Sequence, residues 1–489
     1  MTHFAQACGV HDAPRAAACE AAMHKMRESG LERVRIAWCD MHGVQRGKTL
    51  MPGAAVDALL GGVSMVSTIL LKDTSDRTAY PVFEAGAFDE LPGFGQANNL
   101  VLLPDPASLC ELPWASGTGW MRAQAWFADA TPVPVDPRRV LQAALATLNE
   151  AGFGLRCGLE VEFHIHRIVD DGLDPQRAAW PGEPPEVALL HPGYNLLTET
   201  LADMAEPALR IVQSTAQALG LPLRSLEIEL GPSQVEAVFD PTDALTAADQ
   251  MVLFRNGVRQ ALRRAGYYAS FICLPPFPNA MASGWHLHQS LTRLADGGNA
   301  FMRAAQAPGT TPSHALHTLS DVGAHWLGGL LAHARGAAVF GTPTINGYGR
   351  FRPNAMAPQS VLWGRDNRGA MLRVLGASGD AATRIENRVG EPMANPYLYI
   401  ASQIHCGLSG LRQRLDPGRA TDSPYGQGTR LPASLGEALE SLQGDATLRE
   451  AFGAALSSLY ARIKRSELER HAAAQDPDEW MRREYFGRF

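Results

Sequence analysis

The decapeptide GLEVEFHIHR, Gly158 to Arg167, alternates apolar with charged or polar residues without a break. Successive side chains of an extended strand point to opposite sides. Leu159, Val161, Phe163 and Ile165 therefore form one face, and Glu160, Glu162, His164 and His166 the other. This period of two commits the segment to a strand with one core-facing side. An isolated Glu-x-Glu reads as the wet face of an antiparallel edge strand; what changes that reading is recurrence.

In SLEIELGPSQVEAVF, Glu227 and Glu229 share a face, and Glu236 follows a Gly231-Pro232 turn. In ASGWHLHQSL, His286, His288 and Ser290 lie opposite Trp285, Leu287 and Gln289, and in TRIENRVG, Arg384, Glu386 and Arg388 alternate in the same way. Four such strands can line one basin, where uncompensated like charges are costly and bound cations remove the cost. An oxygen-rich set of glutamates with one histidine suits magnesium or manganese better than zinc or copper. Arg350, Arg368, Arg373, Arg384 and Arg388 are the usual partners of carboxylate and phosphate. Carboxylates, metals and arginines together imply phosphoryl transfer. His164 and His166 are assigned a hydrogen-bonded structural role.

A chain of 489 residues exceeds one ordinary core, so two or more domains are expected. The net charge of −7 is spread without a basic block or acidic tail, which argues against nucleic-acid and anionic-membrane partners. Seven scattered cysteines without a Cys-x-x-Cys pair suggest neither a disulfide framework nor a zinc knuckle, and imply a reducing cytoplasm. No signal-peptide pattern or long apolar span is visible, so a soluble cytoplasmic protein is expected.

Helix is predicted over residues 15–30, followed by a hairpin in RVRIAWCDMHGVQRGKTL with its turn at Asp40 to Gly43. A Pro-rich linker places a domain boundary near Val133 to Asp136. Strands are expected at 155–167, 224–238, 268–274, 284–292 and 381–389, separated by helices that include LTAADQMVLFRNGVRQALRRAG and the LAHARGAAVFG region. That is an α+β pattern with a mostly antiparallel sheet.

Six motifs in order, GLEVEF, ELGPSQVE, SGWHLHQS, NGYGRFRP, DNRGAMLRV and RIENR followed by NPYLYIA, resemble the glutamine synthetase family; CDMHGVQRGK and LPDPASL resemble its N-terminal domain. The resemblance implies a β-grasp N-terminal domain, here residues 1–132, and a catalytic domain with a curved antiparallel sheet, here 133–489. It implies ring-shaped homo-oligomers, expected as a dodecamer of two stacked hexamers, with active sites between subunits. Glu162, Glu229 and Glu236 would hold one Mg2+ or Mn2+, and Glu160, His286 and Glu386 the other. His288, Ser290 and Arg384 would lie on the ATP side, Arg373 and Arg368 at the transferring phosphoryl group, and Arg350 with Arg388 at the carboxylate of glutamate. ATP would phosphorylate the γ-carboxylate of glutamate, and an amine would displace phosphate. A catalytically inactive structural or sensory homologue is the alternative of a different class; all six metal positions are filled, which favours a working ligase.

The sequence departs from the ammonia-using members. Met356 stands where they carry a flap glutamate, Met281-Ala282 replaces an Asn-Gly, and Leu274 replaces a lysine. Asp73 is the best candidate for the aspartate that helps bind ammonium. An apolar side chain cannot take a proton from an ammonium ion, whereas aniline is already neutral near pH 7. Hydrophobic amines, aromatic or short alkyl, therefore rank above polyamines and ammonia as the acceptor, with Met356 in the acceptor pocket.

Overall fold

The computed structural model describes residues 3–304, 318–352, 356–425 and 428–489. The GLEVEFHIHR motif lies in one long strand, Phe153–Asp170. Its length lets several shorter strands share its two edges. Trp285–Arg293 and Tyr267–Ser270 pair along one stretch each, and Gln234–Phe239, Thr242–Asp243 and Glu186–Leu189 along others, all antiparallel. The sheet continues outward through Leu223–Ile228 on one side and through Arg384–Asn387, Leu372–Leu375 and Trp363–Arg365 on the other. Only the last pairing is parallel among the described strands of this sheet.

The alternation does what a half-buried strand requires. Leu159, Val161, Phe163 and Ile165 are buried, beneath the helices Pro137–Glu150 and Ala244–Arg264. Phe163 stacks on Phe271 at 4.9 Å between ring centroids and meets Phe254 edge-on at 5.9 Å. The opposite face divides. Glu160 and Glu162 are only half-buried, whereas His164 and His166 are fully covered.

The predicted 224–238 strand is a hairpin of Leu223–Ile228 and Gln234–Phe239, with Gly231-Pro232 in its turn. The strands near 268–274 and 381–389 are shorter than expected, Tyr267–Ser270 and Arg384–Asn387. The LAHARGAAVFG region is two helices, Asp321–Ala332 and Ala334–Gly341, broken at His333. The His333 ring holds Asp445 at 2.7 Å and Ser409 at 2.9 Å, contacts that fix the break.

A separate sheet precedes this one. Arg33–Cys39 lies between antiparallel Gln45–Leu50 and parallel Thr118–Phe127, followed by Asn99–Pro104 and Val63–Val66. The 40–43 turn forms where expected, with the Asp40 carboxylate accepting from the His42 and Val44 amides. The two sheets are joined at Asp136, which is fully buried. Its carboxylate caps the helix Pro137–Glu150 through the Arg138 and Arg139 amides, and accepts from Ala125 N and Trp38 Nε1 of the first sheet.

A second tie uses the other end of the sequence. Glu484 accepts from Thr74, Ser75 and Arg470, while Arg470 also reaches Asp73 at 2.9 Å. Asp73 and Glu484 are both fully buried. Tyr485 and Phe486 pack with Tyr268, on the strand Tyr267–Ser270, and with Ile272 just past it. Among the described residues no helix is long and apolar enough to cross a membrane.

Asp136→Ala removes a helix cap and strands buried donors on both sides of the joint. It should lower unfolding free energy by about 2–4 kcal/mol in a denaturant titration; a change within error would show that the joint does not depend on this carboxylate.

Candidate active site

Strand register assembles the site. Glu236 lies opposite Glu162 and His286 opposite Glu160 on the long strand, while Glu386 lies opposite both His288 and Arg373. One row of side chains thus crosses five strands. Its centre is His286, whose Nδ1 lies 3.5 Å from Glu160, 3.8 Å from Glu236 and 3.9 Å from Glu386, with Nε2 3.9 Å from Glu162.

The electrostatics are those of crowded acids. Burial, then the Glu229 charge, raises the Glu162 carboxyl above the usual range; burial, then Glu162 and Glu160, does the same to Glu236. Burial also acts on Glu160, but contacts with His286 and His288 outweigh it and hold Glu160 low. The His286 imidazole is pushed down to about 4 by burial and then by Arg388. Glu386 is fully buried and held low: burial is opposed by His286 and by Arg388, with Arg373 a further partner at 3.0 Å.

His288 has a defined tautomer. The Arg384 guanidinium can only donate, and its Nε lies 3.1 Å from His288 Nδ1. The ring proton therefore sits on Nε2, 2.9 Å from Glu160 Oε1. His288 in this state supports Glu160 rather than offering a lone pair of its own.

These residues fit a hard divalent cation. Ligand atoms of Glu160, Glu236 and His286 lie within 4.8 Å of one another. Glu236 Oε1 and His286 Nδ1 are buried without a hydrogen-bond partner among the described residues. An oxygen-rich set of this kind suits Mg2+ or Mn2+. The grouping differs from the expected two sets. Glu236 lies with Glu160 and His286, 3.8 Å from the imidazole Nδ1. Glu229, just past the strand Leu223–Ile228, bonds the Leu230 amide at 3.2 Å and meets Glu162 through its charge.

Beside the row lies a cavity of about 470 Å3. His288, Ser290 and Arg384 line it, with Glu160 at its edge. Sequence reasoning missed three other lining residues, Arg156, Arg224 and Phe239. Their signal was faint: an arginine on each of the two strands that flank Gln234–Phe239, and an aromatic at the end of that strand.

The remaining arginines are more committed than expected. Arg350 is buried and gives Nη1 to the Val389 and Gly390 carbonyls at 2.9 and 2.8 Å and Nη2 to the Arg388 carbonyl. It thereby orients Arg388, whose Nη1 pairs with Glu386 and whose Nε has no acceptor among the described residues. Arg373 bridges Glu386 and exposed Asp366, and Arg368 is exposed in the same segment. The Cβ that Gly284 lacks would sit 2.9 Å from Arg350 Nη2 and 3.1 Å from His286 Nε2, so only glycine lets both side chains approach.

Asp73 belongs to a different place within the chain. It accepts from Ser75 N, Arg77 N, Ser466 and Arg470, and none of its bonds reaches the carboxylate row. Its lone pairs are spent on contacts within the chain. Met356 is 55% exposed with φ of 49°, a left-handed conformation unusual for its side chain. Leu274 is fixed through its backbone by Asn346, at 2.8 and 2.9 Å. Met281 lies against the Gly231 turn, and the 191–197 loop bonds to Leu230 and Ile228 while exposing Tyr194, Leu196 and Leu197. His164 and His166 are buried under this region. His164 Nδ1 lies 3.3 Å from Ser283 Oγ, but both His166 nitrogens lack hydrogen-bond partners among the described residues, so the expected hydrogen-bonded role fits His164 alone.

Mn2+ at about a hundred times its dissociation constant should add about 2.7 kcal/mol to stability. Thermal unfolding with and without chelator would measure this. Glu160→Ala and Glu386→Ala should each lose most of the gain while keeping the wild-type fold; an undiminished gain in both would disprove the metal assignment.

Residues 134–485 match the family model described as glutamine synthetase, catalytic domain. The chain is 38% identical over 475 residues to a γ-glutamylanilide synthase of Acinetobacter sp, covering 94% of this chain and 93% of that protein. It is 30% identical over 473 residues to a γ-glutamylethanolamide synthetase of Streptomyces coelicolor, covering 95% of each. The ligand-free structure of GmaS superposes with a TM-score of 0.74 at 28% identity, over 94% of this chain and 98% of that one.

Proposed function

Because the chain belongs to the glutamine synthetase family, we propose that it is an ATP-dependent ligase joining the γ-carboxylate of glutamate to a hydrophobic amine, aromatic or short alkyl, such as aniline or isopropylamine. The reaction passes through γ-glutamyl phosphate and releases ADP and phosphate. The observation that carries this reading is the carboxylate row around His286 beside the cavity lined by Ser290 and Arg384.

ATP would bind in that cavity, where Arg384 is the guanidinium available to its phosphates and Phe239 an apolar lining residue. Mg2+ or Mn2+ held by Glu160, Glu162, Glu229, Glu236, His286 and Glu386 would draw charge from the phosphate oxygens. Arg373 and Arg368 stabilise the transferring phosphoryl group; the Asp366 partner of Arg373 is exposed and exchangeable. Arg388, aimed by Arg350, takes the glutamate carboxylate with its unpartnered Nε. The amine enters past Met281, Met356 and the apolar 191–197 loop. Aniline, neutral near pH 7, already has a free lone pair and needs no base before it attacks, whereas isopropylamine arrives protonated and must first lose a proton; Asp73 of the same chain has no spare acceptor to take it.

The same reading divides the chain into residues 1–132 and 133–489. It also makes the protein a cytoplasmic homo-oligomer of two stacked hexameric rings.

Phosphate release under saturating ATP and glutamate, with ammonium, putrescine, ethanolamine, isopropylamine and aniline, tests the acceptor. Aniline or isopropylamine should give the highest kcat/KM. A preference for ammonium or putrescine would move the enzyme to the ammonia- or polyamine-using branches. In Met356→Glu, desolvating the new carboxylate costs an apolar amine about 1–3 kcal/mol. Its kcat/KM for aniline should fall and that for putrescine should rise.

Arg350→Lys keeps the charge but loses the planar fork. It should raise the Michaelis constant for glutamate roughly tenfold, the equivalent of about 1.4 kcal/mol. An unchanged constant would separate Arg350 from the glutamate site.

A further inference from the structure

Glu162 is held from behind as well as from the front. Its Oε2 accepts from the Gly284 amide at 2.6 Å and lies 3.2 Å from Nε2 of Gln234. Gln234 is 2% exposed. The orientation of its amide follows from the main chain: Oε1 accepts from Gly231 N at 2.9 Å, so the NH2 group faces the other way. On that side it meets Glu162, the Ala282 carbonyl at 3.2 Å and Ser283 Oγ at 3.1 Å, and Ser283 in turn faces His164. The Cβ that Gly231 lacks would fall 2.5 Å from Gln234 Oε1 and 2.7 Å from Met281 Cβ, so turn, amide and Met281 are packed flush.

One side chain therefore touches three elements: the long strand at Glu162, the turn that follows Glu229, and the 281–284 loop that carries Met281 into the His286 strand. We propose that Gln234 is a positioning residue that fixes one oxygen of Glu162, leaving the other for the metal, and locks the acceptor-side loop to the same point. This rests on the reading of Glu162 as a metal ligand. Outer-shell hydrogen bonds of this kind orient a ligand, and losing one typically costs tenfold to a hundredfold in metal affinity. Because the amide also bonds Ala282, its loss should loosen Met281 and raise the Michaelis constant of the amine.

The test is Mn2+ calorimetry without nucleotide on wild type, Gln234→Met, Ser283→Ala and Glu162→Gln, with steady-state constants for ATP and aniline. Gln234→Met keeps an unbranched side chain of similar length but has no N–H. It should bind Mn2+ about ten to a hundred times more weakly, raise KM for aniline more than KM for ATP, and melt within a few degrees of wild type. Ser283→Ala should shift both readouts in the same direction by less, and serves if Gln234→Met does not fold. If Glu162→Gln weakens Mn2+ binding while Gln234→Met, or Ser283→Ala in its place, does not, the role of Gln234 is overturned and the metal reading stands. If Glu162→Gln binds Mn2+ as wild type does, the metal reading fails and takes this inference with it.

Discussion

Like charges held close inside a protein are the constraint around which this structure is arranged. Register alone puts Glu162 beside Glu236 and Glu160 beside His286. Without compensation such a row would be driven to protonate or to separate. The positive charge comes from one side of the sheet: Arg388 and Arg373 on Glu386, and Arg384 behind His288. Glu162 and Glu236 lie near His286 too, but no arginine bonds to them among the described residues, and burial with the charge of neighbouring carboxylates pushes both toward the neutral acid. That imbalance is what a divalent cation corrects, so the electrostatic defect and the proposed chemistry are one feature.

The loops around the row are shaped by side chains that bond to backbone. Arg350 gathers the carbonyls of 388–390, Asn346 clamps Leu274 at both N–H and C=O, and buried Glu391 holds Thr344 by its amide and hydroxyl at 2.9 Å each. Glu391 is raised to about 8, chiefly by burial. These contacts use polar groups as internal scaffolding where irregular chain cannot satisfy itself. They explain why a site set on loops can keep strand-like precision.

Much of this was legible in the sequence because a period of two maps directly onto faces. The alternation of Glu160 and Glu162 with Leu159 and Val161, the Gly231-Pro232 turn, and the pairing of His286 with a carboxylate strand all follow from it. The same rule could not tell Glu160 from His166, since alternation fixes the face and not what later covers it; Phe277 and Phe486 close over His166. The setting of Asp73 was hidden for a related reason. Its partners Ser466 and Arg470 lie 393 and 397 residues away, and no local pattern announces them. The bonds of Arg350 to the 388–390 carbonyls are likewise invisible to residue type.

The tie between Thr74 and Glu484 spans 410 residues. At a synthesis rate of 5–20 residues per second, roughly 20–80 s separate the two on the ribosome. During that interval the 73–75 loop exists without Arg470 and Glu484, its partners in the folded state. The first sheet can form early, but the loop projecting from it can be locked only when almost the whole catalytic sheet has been made. The order of synthesis thus makes this loop a late-closing clasp, and a chain whose synthesis halts before residue 470 carries it open.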